Sequence, residues 1–180
     1  KLSISDIVFL LSSRMDVTRI LYYNEIYKQI LKKPGVIMEF GCRYGSSLSI
    51  LQKLRSIYEP YNYVRKIIGF DTFQGFTNEF TSDERKIWKK GDYGVPPKYE
   101  KVLDKILSLE EENAPIKHLK KFEMVKIIKG DASTTVKNYL EKNKETVIGL
   151  AIFDMDLHKP TKKVLKAIKK RLFKGSILVF

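Results

Sequence analysis

Apolar and polar residues follow each other along this chain in two rhythms. Short uninterrupted apolar runs, the mark of strands buried on both faces, are separated by longer stretches whose apolar residues recur every three or four positions, the mark of amphipathic helices. Residues 1–14 read as a helical or irregular lead-in. Asp16 to Leu31 predicts a helix, with Ile20, Tyr23, Ile26, Tyr27, Ile30 and Leu31 at helical spacing and Pro34-Gly35 as its stop. It is expected to pack beside the first strand, Gly35 to Phe40, and to cover one side of a site there. Ser46 or Ser47 is the expected N-cap of a helix that runs to about Tyr58, buries Leu48, Leu51 and Leu54, and is broken by Glu59-Pro60-Tyr61-Asn62.

The pattern then repeats. Lys66 to Asp71 predicts a second strand. Tyr99 to Glu112 predicts a helix with Val102, Leu103, Ile106, Leu107 and Leu109 as its apolar positions, ended by Asn113-Ala114-Pro115. Met124 to Ile128 predicts a third strand, Thr134 to Lys142 a helix, and Thr146 to Phe153 a fourth strand, central because it is apolar after its first residue. A helix with Pro160 in its first turn runs to Leu172, with Val164, Leu165, Ile168 and Leu172 inward and lysines outward. Lys174-Gly175 closes it before a fifth strand, Ser176 to Phe180. Only Thr77 to Pro97 has no clean period. Its length and its Trp88 and Tyr93 favour an ordered lid or substrate loop. Strands alternating with helices predict an α/β fold, a parallel sheet with helices on both faces and right-handed crossovers.

In such a sheet, ligands bind beyond the carboxyl ends of the strands, where the strand order reverses. Four of the five strands end in acids: Glu39, Asp71, Gly130-Asp131 and Asp154/Asp156. The first end is followed by Phe40-Gly41-Cys42-Arg43-Tyr44-Gly45-Ser46-Ser47. Gly41 and Gly45 let the backbone approach a ligand, and a helix start at Ser46 offers free N–H groups. Asp71, followed by Thr72, stands where a ribose diol would lie. Its distance from Gly41 exceeds the ~20 residues of the dinucleotide motif, so a turn-forming aspartate is an equal reading. As a set, Glu39, Asp71 and Asp131 suit the hydroxyls, amino group and adenine N–H groups of an adenosine-containing ligand. So many carboxylates disfavour a phosphate-rich cofactor and favour S-adenosylmethionine, which carries a positive sulfonium.

Asp154 and Asp156 reach one site only if the strand ends between them. Paired carboxylates beyond a strand end can hold Mg2+ and so lower the pKa of a substrate hydroxyl; the alternative is helix capping and a salt bridge to nearby lysines. His158 is the nearest candidate base, although a lone histidine is more often only packed or exposed. His118, between lysines, reads as a surface residue, and Cys42, with no partner base nearby, as a buried filler.

Composition narrows the class. The 180 residues suffice for one domain with a sizeable core, and 43% hydrophobic content is that of a globular chain. No apolar run approaches the ~18 residues that span a bilayer, and Ile7 to Leu11, followed by Ser12, Ser13 and Arg14, is too short for a signal peptide. A single cysteine excludes an internal disulfide and fits a reducing cytoplasm. The net charge of +13 admits a nucleic-acid partner. Lysine greatly outnumbers arginine, however, and is spread along the chain, so a solvated basic surface is favoured over nucleic acid.

Taken in order, Glu39-Phe-Gly-Cys-Arg-Tyr-Gly-Ser-Ser, Gly69-Phe-Asp-Thr-Phe-Gln-Gly-Phe, Gly130-Asp131, Asp154-Met-Asp-Leu-His-Lys-Pro-Thr161 and Arg171 to Phe180 resemble the macrocin O-methyltransferase (TylF-type) family of class I S-adenosylmethionine-dependent methyltransferases. The resemblance covers about residues 16–180 and implies a Rossmann-like fold. It implies that Gly41 and Gly45 flank the methionine part of the cofactor, that Asp71 binds the ribose, and that Asp131 and Ala132 lie at the adenine. Asp154 would be a magnesium ligand that helps deprotonate the substrate, with Asp156 beside it. Members methylate hydroxyls on sugars of natural products, so a small-molecule or glycan substrate is expected.

Two departures stand out. Class I methyltransferases often have glycine where Arg43 stands, so Arg43 must point away from the cofactor or contact its carboxylate. The family's magnesium site is completed by an acidic pair just after the fifth strand, and this sequence stops at Phe180. The expectation is one methyltransferase domain, with 1–34 as lead-in and 77–115 as lid insertion, whose natural polypeptide continues past Phe180 with acids and the missing last strands. The rivals are a nucleic-acid methyltransferase, a non-catalytic S-adenosylmethionine-binding module, and an NAD-dependent oxidoreductase, which would lack its full Gly-x-Gly-x-x-Gly motif.

Overall fold

The computed structural model describes residues 3–113 and 123–180. Ala114, Pro115 and His118 lie outside the described residues. The lead-in is helical. Helices α1 (Ile4–Leu11) and α2 (Arg14–Ile30) each start at a serine, Ser3 and Ser13. Each serine hydroxyl accepts from the N–H of an aspartate three residues on, and that aspartate accepts from the serine N–H. These capping boxes satisfy donors that a bare helix start leaves unpaired, and the second begins α2 at Arg14 instead of Asp16.

Then follow β1 (Val36–Phe40), α3 (Ser46–Tyr58), β2 (Ile67–Asp71), the short α4 (Glu84–Ile87) and α5 (Tyr99–Asn113). Next come β3 (Val125–Lys129), α6 (Ala132–Lys142), β4 (Ile148–Phe153), α7 (His158–Ile168) and β5 (Leu172–Val179). The strands form one parallel sheet in the order β3-β2-β1-β4-β5. The order reverses between β1 and β4, which places the crevice for a ligand beyond their carboxyl ends.

Both faces of the sheet are covered. All five residues of β1 and all six of β4 are buried, which is why they read as unbroken apolar runs. Ile37 joins Tyr27, Ile30, Leu48, Leu51, Leu103 and Leu107 in a core under α2, α3 and α5. Val36, Met38 and Phe40 face the other way, into a core with Val136, Leu140, Val164 and Ile168 from α6 and α7. Each fully buried Leu, Ile or Phe contributes about 1.5–3 kcal/mol, so these two layers are what fix the crevice between them.

A polar hub anchors the far end of the sheet. Arg65 is buried, pairs with Glu59 at 2.9 Å, and donates to the carbonyls of Ile30, Lys33 and Gly35. Tyr27 Oη donates to Glu59 at 2.7 Å. The hub locks the end of α2 to the entrance of β1. Burial raises the Glu59 carboxyl, but hydrogen bonds from Arg65, Tyr27 and Asn62 outweigh it and hold Glu59 below its ordinary value.

The structure corrects several boundaries. Gly45, with φ +77, takes the N-cap of α3, so Ser46 and Ser47 are its first helical residues and cap nothing. Helix α6 starts at Ala132 because Asp131 caps it, accepting from the Ser133 N–H at 2.7 Å. The fourth strand begins at Ile148, beside a register slip in which Val36 pairs with Ile148 but Ile37 with Leu150. The fifth strand begins at Leu172, not Ser176. Gly175, at φ +116, sits in a bulge that Ser176 closes by accepting from the Phe173 N–H and donating to the Ile148 carbonyl. Ile20, Val102, Ile106 and Leu109 are exposed instead of inward.

Candidate functional site

The ends of β1, β2 and β4, the start of α6, the α2 helix and the loop after β2 enclose a cavity of about 540 Å3. It lies at the reversal of strand order. Gly41 is required where β1 leaves the sheet: its φ is +92, and a Cβ there would lie 2.0 Å from the Asp154 carbonyl oxygen. That close approach brings the β1 turn and the end of β4 onto one cavity wall. Ser46 lines the same wall. Gly45 does not; a Cβ there would meet Leu103 of α5 at 2.4 Å, so this glycine serves the turn and its packing.

Asp71 lines the cavity and ties two turns together. One oxygen accepts from the Arg43 N–H at 2.7 Å, the other from the Phe73 N–H at 2.6 Å. These two bonds are those of a turn former, and each carboxylate oxygen keeps room for a further donor. Thr72 also lines the cavity, while its hydroxyl donates to the Gly75 carbonyl and accepts from the Gln74 N–H. Asp131 and Ala132 line the cavity too, at the start of α6.

Glu39 stands behind the wall, not on it. It is fully buried, its Oε1 accepts from the Ser47 hydroxyl, and its Oε2 has no partner among the described residues. Burial raises its carboxyl to about 8; Asp154 and Asp71 add to this and the Ser47 hydrogen bond opposes it. Burial likewise pushes the Cys42 thiol well above its ordinary range, consistent with a filler.

Strand β4 ends at Phe153, so Asp154 and Asp156 both reach the cavity, with Asp156 at φ +56. Desolvation in the cleft and the Asp156 charge raise the Asp154 carboxyl, against the pull of Arg19. Among the described residues no group of three or more His, Cys, Asp or Glu side chains converges to hold a metal. Asp154 and Asp156 are the two carboxylates on the wall open to a hard cation, which keeps waters at its other positions. His158 lies outside the cavity wall; its side chain is exposed and its N–H donates to Glu84 Oε1 at 2.7 Å. Arg43, at φ +47, lines the cavity and holds its guanidinium over the rings of Tyr93 at 4.8 Å and Tyr44 at 5.2 Å.

The helix expected to cover the site and the expected lid loop supply lining residues that the sequence reading did not single out as site residues. Met15, Thr18, Arg19, Tyr22 and Tyr23 line the cavity, as do Phe76, Thr77 and Tyr93. The α2 set recurs at three- and four-residue spacing beside the buried stripe of Tyr23, Ile26, Tyr27 and Ile30, so a second helical stripe was the available signal. Thr77 Oγ1 is buried without a partner among the described residues. Glu39 Oε2 is a second unanswered polar atom, behind the wall. No helix among the described residues is long and apolar enough to cross a membrane.

No match was found among protein-family models or curated protein sequences. Solved structures do match. The chain is 41% identical to CalS11, a calicheamicin methyltransferase, with a TM-score of 0.88 over 95% of this chain and 66% of that one. An apo structure of CalS11, described as a TDP-rhamnose 3'-O-methyltransferase, gives 39% identity and a TM-score of 0.80 over 95% of this chain and 65% of that one. The O-methyltransferase NovP shares the fold at 16% identity and a TM-score of 0.56, over 89% of this chain and 62% of that one. The chain spans just under two thirds of the CalS11 structures. Its α/β architecture is the Rossmann-like fold of class I methyltransferases.

Proposed function

We propose that this chain carries the cofactor-binding half-site and the base of an S-adenosylmethionine-dependent O-methyltransferase acting on a sugar hydroxyl. The observation that carries the reading is convergence: the Gly41 turn, Asp71, Asp131 and Asp154 meet on one cavity at the reversal of strand order. The 41% identity to a calicheamicin methyltransferase supports the same reading, and the TylF-type assignment rests on the sequence motifs. The residues present suit the cofactor chemically. The start of α3 at Ser46 offers N–H groups to a carboxylate, and Asp71 with Thr72 would take ribose hydroxyls. Asp131 and Ala132 would border the adenine.

S-adenosylmethionine supplies an electrophilic methyl group on a sulfonium. The chain's own part is to position the acceptor oxygen in line and to take its proton. Asp154, at the end of β4 and open to the cavity, is the assigned base, since His158 stands off the wall. Asp156 and Arg19 set its electrostatic surroundings. Asp154 and Asp156 are the carboxylates that would hold a magnesium ion, which would lower the pKa of a substrate hydroxyl bound to it. The loop from Thr77 to Pro97 covers the acceptor and selects it. CalS11 acts on TDP-rhamnose, and a nucleotide-linked deoxysugar is the first acceptor to try.

Calorimetry with S-adenosylmethionine and S-adenosylhomocysteine, with NAD as control, tests the cofactor. Binding of NAD in place of either methyl-cycle ligand would overturn the class. For the base, Asp154→Asn should lower kcat by about 10²–10⁴-fold, the usual contribution of a positioned base, while cofactor affinity changes by less than about threefold. Unchanged turnover in that variant would remove Asp154 from the role.

A further inference from the structure

The cavity wall that carries the carboxylates also carries two cations, Arg19 and Arg43. No lysine among the described residues lines it, although lysine greatly outnumbers arginine in the chain. We propose that, within the methyltransferase reading on which this rests, Arg43 and Arg19 form an anion subsite that takes the phosphate of a phosphate-bearing acceptor.

The Arg43 guanidinium is held in place by the chain itself. It lies over the rings of Tyr93 at 4.8 Å and Tyr44 at 5.2 Å. Each ring is braced in turn. Tyr44 stands edge-on to Tyr99 with centroids 5.2 Å apart, and the Tyr99 hydroxyl donates to the Tyr44 carbonyl. Tyr93 packs against Phe76 at 5.2 Å and Trp88 at 5.3 Å. A ring attracts a guanidinium through its flat face, so the N–H donors in the guanidinium plane stay open. The backbone is held too. Arg43 sits at φ +47, a left-handed conformation that is unfavourable for a residue with a Cβ, and its N–H donates to Asp71 at 2.7 Å.

The charge of both arginines is unanswered. Among the described residues neither has a carboxylate at ion-pair distance, although Asp71, Asp131, Asp154 and Asp156 line the same cavity. The buried Arg65 is the contrast: its donors go to Glu59 and to three carbonyls. The donors of Arg43 and Arg19 are left for a ligand.

Residue type and position select that ligand. The planar fork of arginine matches a phosphate with two parallel hydrogen bonds, where lysine offers only a point charge. The cofactor brings no phosphate, and its carboxylate has the N–H groups at the start of α3. Arg19 is near enough to Asp154, the assigned base, to oppose the rise of its carboxyl. Arg43 lies against Tyr93 of the loop assigned to the acceptor. Both cations therefore border the acceptor end of the cavity.

Calorimetry of the 180-residue chain with thymidine diphosphate, with and without saturating S-adenosylhomocysteine, tests the subsite; methyl rhamnoside is the uncharged control. Thymidine diphosphate is expected to bind in both conditions, and methyl rhamnoside at least about tenfold more weakly. Arg43→Gln and, separately, Arg19→Gln should each lower thymidine diphosphate affinity by about tenfold or more, as the loss of a charge-assisted hydrogen bond does, with S-adenosylhomocysteine affinity kept within about threefold. Arg43→Lys, which keeps the charge and loses the fork, should fall between parent and Arg43→Gln. Absence of thymidine diphosphate binding, equal binding of both probes, or Arg43 variants that bind like the parent would overturn the proposal. Displacement of S-adenosylhomocysteine by thymidine diphosphate, or an equal loss of both ligands in Arg43→Gln, would give the site to the cofactor and likewise overturn it. The cofactor reading fails separately: NAD binding in place of S-adenosylhomocysteine, with arginine-dependent thymidine diphosphate binding intact, would overturn the class and leave the subsite standing.

Discussion

Glu39 holds a proton that its exposed counterpart would not. In the unfolded chain its carboxyl titrates near the ordinary 4.5, and in the fold at about 8. Between those values the native state binds more protons than the unfolded state. The Glu39 contribution to stability is therefore full below about pH 4.5 and is lost as pH rises through 8, at up to about 1.4 kcal/mol per pH unit. The groups that face it, Asp154, Asp71 and Cys42, all disfavour its ionisation or are disfavoured by it. Tyr23, pushed up to about 12 by burial and then by Glu39, shows the same field. Glu39→Gln should flatten the fall in melting temperature between pH 5 and 8. An equal slope in parent and variant would place the proton elsewhere. The sequence showed that an acid ends β1, but not that it points behind the cavity wall, because strand position fixes a face and not the depth of burial. Arg43 shows the converse: two orientations were open from the sequence, and the rings of Tyr93 and Tyr44 take its guanidinium.

At the scale of elements, the loop after β2 was legible by its lack of period and opaque in its order. Phe76 packs against Phe80, Trp88 and Tyr93, and the loop is tied to α7 by the His158 N–H on Glu84, Lys159 on the Phe80 carbonyl, and a Lys163–Glu79 pair. Such long-range pairs leave no local signature. Exposed cation–π contacts are worth about 0.5–1 kcal/mol, so the Arg43–Tyr93 contact is a latch that can open. Tyr93→Ala should raise KM for the acceptor about three- to tenfold while cofactor affinity, measured by calorimetry, moves less. Equal losses for both ligands would make Tyr93 part of the cofactor site. The Arg65 hub was read only as a helix break at Glu59 to Asn62. Arg65→Met leaves Glu59 and three carbonyls without their donor and should cost about 3–5 kcal/mol in urea unfolding. A loss below about 1 kcal/mol would mean the hub is dispensable. The fifth strand was misread because Lys174-Gly175 has the chemistry of a helix stop, while here the glycine serves a bulge.

The whole molecule carries two opposed fields. The order of strands and the gathering of acids at one sheet edge were legible, because buried parallel strands announce themselves as apolar runs and each ends where polarity returns. Glu39, Asp71, Asp131, Asp154 and Asp156 cluster there in a chain of net charge +13. The compensating cations are concentrated elsewhere: from Lys159 to Lys174 there are eight basic residues and no acid. Lys162, Lys166, Lys169, Lys170 and Lys174 are exposed. A carboxylate-lined cleft and an exposed lysine-rich face respond differently to salt. Contacts inside a cleft act over a few ångströms, well within the ~8 Å screening length at physiological ionic strength. Neutralising phosphates on an exposed face releases counterions, with affinity falling by a power of salt close to the number of contacts. Raising salt from 50 to 200 mM should therefore change S-adenosylmethionine affinity by less than about twofold. Over the same range, adsorption of a single-stranded RNA oligomer, read by fluorescence anisotropy, should drop by at least about tenfold. The oligomer should not displace the cofactor, and Lys166→Glu with Lys170→Glu should abolish its binding alone. If RNA and cofactor compete at constant salt, the basic face and the cleft form one site, and the nucleic-acid methyltransferase reading takes precedence over the sugar.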